Sequence, residues 1–72
     1  MTNEQLLAAF AQIHELPTGP TMFLADTVDA IARAAERPAI AVIDFALTDE
    51  DFAEALIKVV GNAYHRYQQR LN

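Results

Sequence analysis

Pro38-Ala39-Ile40-Ala41-Val42-Ile43-Asp44-Phe45-Ala46-Leu47 is the stretch on which the fold turns. With a period of two, Ala41, Ile43, Phe45 and Leu47 share a face, as on a strand. With a helical period, Ile40, Ile43 and Leu47 share one, and Val42, Phe45 and Ala46 close the circle. The length suits either element. A lone strand among helices would leave backbone N–H and C=O groups unpaired unless a second copy supplied partners. A short buried helix is therefore expected, with a strand over residues 39-47 as the alternative that dimerisation would permit.

The flanks are helical. Pro38 biases the residue before it away from helical geometry and ends whatever precedes it. Upstream of it, Leu24, Val28, Ile31 and Ala35 form an apolar stripe flanked by Phe23, Thr27 and Ala32, which predicts an amphipathic helix from about Pro20 to Arg37. Pro20 suits the first turn of such a helix, where its missing N–H is not needed. Further upstream, Thr2-Asn3-Glu4-Gln5 has the form of a capping box ahead of a run with Leu6, Ala9, Phe10 and Ile13 on one face. That places a first helix at about residues 2–15, closed by Leu16-Pro17-Thr18-Gly19-Pro20.

Downstream, Thr48-Asp49-Glu50-Asp51 offers an N-cap followed by three carboxylates, and Lys58, Arg66 and Arg70 lie toward the other end. Charge thus follows the helix macrodipole in the stabilising sense. The last helix should run from about Asp49 to Leu71, the longest in the chain. With Phe52, Leu56, Val59, Ala63 and Tyr67 in one stripe and Val60, Tyr64 and Leu71 widening it, its apolar face exceeds what one neighbouring helix covers. The expectation is an all-α single domain over residues 1–72, a small three- or four-helix bundle.

Composition narrows the function. A chain of 72 residues with no cysteine has neither disulfides nor thiolate metal sites to support a small core, which leaves tight helix packing or association with another chain. Serine is absent as well, so the two commonest nucleophiles are missing. Four of the five threonines fall at expected helix ends or turns, where capping accounts for them. His14 and His65 have no second ligand at helical metal-site spacing, and Asp44 has no neighbour in sequence that would complete an acid–base site. No catalytic, cofactor-binding or metal-binding residue is assigned.

A net charge of −5 disfavours nucleic acid and anionic membranes, and Ile40 to Leu47 holds no Arg, Lys, Asn or Gln with which a central recognition helix would read bases. No apolar run reaches the ~18 residues of a membrane span, and the N-terminus lacks the basic region of a signal peptide, so a cytoplasmic chain is expected. The reading that remains is a non-enzymatic protein–protein interaction module, a small regulator, inhibitor or adaptor acting as a homodimer. A structural subunit of a larger assembly, or a small helical DNA-binding protein, is the alternative. The partner-binding surface is expected on the last helix, at Val60, Tyr64, Arg66, Tyr67, Arg70 and Leu71, where two tyrosines beside arginines match the composition of binding hot spots.

Overall fold

A computed structural model describes residues 2–71. The chain folds as an all-α bundle of helices α1 (Asn3–Ile13), α2 (Thr18–Thr21), α3 (Leu24–Ala35), α4 (Ala39–Thr48) and α5 (Glu50–Leu71), of which α2 is a single turn. No strand occurs among the described residues, and the ambiguous segment is helix α4. No helix of the described residues is long and apolar enough to cross a membrane.

The capping box forms in full: the Gln5 N–H donates to the Thr2 hydroxyl (3.2 Å) and the Thr2 N–H donates to the Gln5 side chain (2.9 Å). Both α1 and α3 end on a glutamate in the left-handed region, Glu15 (φ 52) and Glu36 (φ 56). At each end two N–H groups turn back to carbonyls that the helix leaves free. Leu16 donates to Ala11 and Glu15 to Gln12; Arg37 donates to Ala32 and Glu36 to Arg33. This is the arrangement that glycine usually supplies, followed each time by proline two residues on. A Cβ in the left-handed region costs about 1–2 kcal/mol. Glu36→Gly is therefore expected to raise stability by about 0.5–1 kcal/mol, the gain in backbone strain being partly offset by the entropy of the unfolded glycine. Thermal denaturation checks the sign.

The expected second helix is divided. Pro20 does lie in the first turn of a helix, but that helix is α2, which stops at Thr21. At Phe23 the backbone (φ −97, ψ −1) departs from helical values, and α3 starts anew at Leu24. The break lets the Phe23 ring pack on Tyr67 and Tyr64, with ring centroids 5.5 and 6.3 Å away. Between α4 and α5 the cap is Asp49, not Thr48. The Phe52 N–H donates to an Asp49 carboxylate oxygen (2.9 Å), whereas the Thr48 hydroxyl turns back to the carbonyls of Asp44 and Phe45.

The core consists of Phe10 from α1, Leu24, Val28 and Ala32 from α3, Val42, Ile43 and Ala46 from α4, and Ala53, Leu56 and Val60 from α5. Several positions expected on buried apolar faces lie outside it, Ile13, Ala35, Val59 and Tyr67 among them, and α4, expected to be buried, exposes Ile40 and Phe45. Ile13 is exposed because α1 presents Leu7, Phe10 and Ala11 to the bundle. Val59 is exposed because α5 is turned one residue from the expected stripe, so that Ala53, Leu56 and Val60 face inward.

Candidate interaction surfaces

At about 1.5 Å per residue the 22 residues of α5 reach about 33 Å, whereas α1, α3 and α4, with 10 to 12 residues each, reach about 15–18 Å. The molecule measures 36 × 25 × 23 Å, and α5 accounts for its long dimension. Residues 65–71 are all exposed, and although Tyr67 still packs on Phe23, the last turn of α5 overhangs the bundle.

Of the six residues expected to bind a partner, Arg66, Tyr67, Arg70 and Leu71 lie in this exposed stretch, with Leu71 68% exposed. Val60 does not: it is 0% exposed, held by the core, and a partner cannot reach it without unfolding the chain. Tyr64 is half-buried, and its ring lies directly on Gly19 of α2. A Cβ added at Gly19 would stand 2.7 Å from the Tyr64 hydroxyl oxygen and closer still to the ring. The hydroxyl accepts a hydrogen bond from the Gln68 side chain (3.0 Å). Tyr64 thus serves first to hold α2 against α5. Phe23, Ala63, Arg66, Tyr67 and Arg70 line a shallow hollow beside it, and Val59, 47% exposed, lines another with Asn62, His65 and Arg66.

A second surface, not anticipated from sequence, lies on α4. The segment AIAVIDFALT is apolar nearly all the way round, a pattern that normally means a helix covered on every side. Here the chain covers one side only. Val42, Ile43 and Ala46 are buried, whereas Ile40, Ala41, Asp44, Phe45 and Thr48 are exposed at three- and four-residue spacing, with exposed Arg37 one turn before them. Phe45 is 50% exposed and leans on Phe52 of α5, ring centroids 5.0 Å apart. Beside it runs an open groove of about 410 Å³, lined by Ile31 and Ala35 of α3, Arg37, Ala41, Val42 and Phe45, and Phe52 of α5. Arg37 is the one charged side chain in that lining. The sequence signal for this face was the apolar character of α4 around most of its circumference, which indicates burial without saying by what.

Most of the hydroxyls and both imidazoles are engaged locally. The hydroxyls of Thr21, Thr27 and Thr48 donate to backbone carbonyls at 2.7–3.2 Å, and that of Thr2 caps α1. His14 stacks on Phe10, centroids 4.5 Å apart, and faces Glu50, Asp51 and Glu54 across a hollow at the start of α5. His65 pairs with Gln69 (3.2 Å). Asp44 stands exposed on α4. Among the described residues no group of three or more His, Cys, Asp or Glu side chains is placed to hold a metal ion. Comparison with protein-family models, with curated proteins and with solved structures finds no match to this chain.

Proposed function

We propose that the chain is a non-enzymatic protein–protein interaction module that works as a homodimer, in the manner of a small regulator, inhibitor or adaptor. One observation carries this reading: a helix that is apolar nearly all round, α4, is covered on one side only by its own chain. A face of this kind beside an open apolar groove is what a protein interface leaves behind when the partner is removed. The charge of −5 keeps the role away from nucleic acid, whose binding rests on neutralised phosphates.

The overhanging end of α5 has a different character and a different use in this proposal. Arg66, Tyr67, Arg70 and Leu71 project from the bundle, and the arginines carry positive charge on an otherwise acidic protein. Such an end suits the surface of a larger, acidic protein, which the dimer would present with two copies of the same contact. Light scattering on a column-separated sample tests the homodimer. A mass about twice the 8.0 kDa of the chain at tens of micromolar is expected. A mass of one chain at every concentration up to the high micromolar range contradicts it.

A further inference from the structure

We propose that the flank of α5 running from Val59 to Arg70 docks a segment of another protein that carries two carboxylates beside an apolar side chain. This rests on the reading of the chain as an interaction module and names the chemistry of the partner at the end of α5.

Charge is segregated along the sequence before folding is considered. Beyond Glu54 the chain holds no Asp or Glu, and it carries Lys58, Arg66 and Arg70 there, three of its five basic residues. All ten carboxylates lie in the remainder, against Arg33 and Arg37. Part of this segregation serves the helix, because the macrodipole favours cations near a C-terminus. That benefit fades within the last turn, where Arg70 is the basic residue, and it does not account for Arg66. Arg66 and Arg70 also stand four residues apart on one face, a like-charge spacing that weakens a helix. The pair is a cost to α5 that an anion lying against it would remove.

Geometry puts the pair beside an apolar hollow. Val59, Ala63, Arg66 and Arg70 recur every three to four residues and so share one strip of α5. Phe23 and Tyr67, ring centroids 5.5 Å apart, line an open hollow of about 270 Å³ together with Ala63 and both arginines. That is below the roughly 300–1,000 Å³ of a small-molecule site, and it suits one apolar side chain of a protein partner. Arg66 also lines the neighbouring hollow with Val59, Asn62 and His65. Among the described residues no carboxylate lines either hollow.

The chemistry of the occupant follows. A guanidinium takes a carboxylate through paired N–H donors, and on a helix residues four apart are about 5–6 Å from each other, so two carboxylates at that separation meet both arginines. An apolar side chain between them enters over Ala63. Nucleic acid would offer phosphates to the same arginines, but the −5 of the whole chain repels a polyanion. A short segment with two carboxylates meets chiefly the local field, since charges beyond about 8–10 Å are screened at physiological salt.

Selection of phage-displayed random peptides on the immobilised full chain, counter-selected on the Arg66→Gln/Arg70→Gln variant, tests this. Both positions are exposed, and circular dichroism confirms the fold of each variant. Enriched peptides are expected to carry Asp or Glu residues beside a large apolar side chain. Their affinity, read by fluorescence anisotropy, is expected to fall about fivefold to tenfold for each arginine replaced and roughly thirtyfold for both. Lys58→Gln removes the same charge from an exposed position off the strip and is expected to change affinity by less than about twofold. Enriched peptides without acidic residues, or acidic ones that bind the double variant as tightly as the wild type, overturn this surface and leave an interaction module that works through another face. An oligonucleotide that binds more tightly than the peptides and is lost with the arginines assigns the strip to nucleic acid and overturns the protein partner. A selection that enriches nothing overturns the strip as a docking surface, while the homodimer is judged separately by its mass.

Discussion

Phe10→Ala is expected to lower the unfolding free energy by about 3–5 kcal/mol, the range for truncating a buried aromatic ring in a core that cannot fully close around the gap. Phe10 is the largest fully buried side chain, 1% exposed, and it is the sole fully buried residue of α1 among the described residues. Its helix packs chiefly on α4, the helix whose other side is open. A domain of this size carries about 4–11 kcal/mol in total at 0.05–0.15 kcal/mol per residue, so the loss removes a large share of it. Urea denaturation measures the effect. A second consequence follows if the dimer forms, because association stabilises whatever fraction is folded. The midpoint of Phe10→Ala should then rise with protein concentration, and the variant should be more helical at high micromolar than at low micromolar concentration. A loss below 1 kcal/mol would mean that α1 is not held by this ring.

Gly19→Ala is expected to destabilise by about 1–3 kcal/mol, and to do so only while Tyr64 is present. No glycine of the chain has positive φ, so the backbone at Gly19 accepts alanine without strain. The obstacle is the Tyr64 ring, which occupies the place of the new methyl and would have to leave its position on α2 beside Phe23. Removing the ring should reverse the sign. In a Tyr64→Ala background the same Gly19→Ala change meets open space and should stabilise by about 0.4–1 kcal/mol through the reduced freedom of the unfolded chain. The double-mutant cycle therefore carries a coupling of more than 1 kcal/mol between two residues 45 positions apart in sequence. Equal effects of Gly19→Ala in both backgrounds would show that Tyr64 does not hold α2.

The same two residues mark what could be read in advance. The sequence around Thr2 specified its own cap, because a capping box needs only residues three apart. The helical reading of residues 39-47 held for a similarly local reason, namely that a chain of helices offers a strand no neighbour. The rotation of α5 was not local. Val59 and Val60 are the same residue type side by side, and which of them turns inward depends on how Tyr64 seats on Gly19 and how Phe23 meets Tyr67. Val60 was therefore expected at the partner surface, while Val59, the exposed one, was placed in the core. The left-handed glutamates were invisible for another reason: at Glu15 and Glu36 the turn is made by a residue that ordinarily avoids it. Of the expected binding residues, Arg66, Tyr67, Arg70 and Leu71 were legible as exposed because the helix was legibly too long for its neighbours. The α4 face was hidden because a helix apolar around most of its circumference looks the same whether its own chain covers it or a second chain does.

The account rests most heavily on two copies associating through the open face of α4. Isotope-filtered NOE spectroscopy on a mixture of labelled and unlabelled chains observes that pairing directly, since cross-peaks then arise only between copies. Cross-peaks from the Phe45 ring of one copy to methyl groups of the other are expected. Intermolecular contacts confined to Val59, Tyr67 and Leu71, or none at all in a sample concentrated enough to be dimeric by mass, would contradict it.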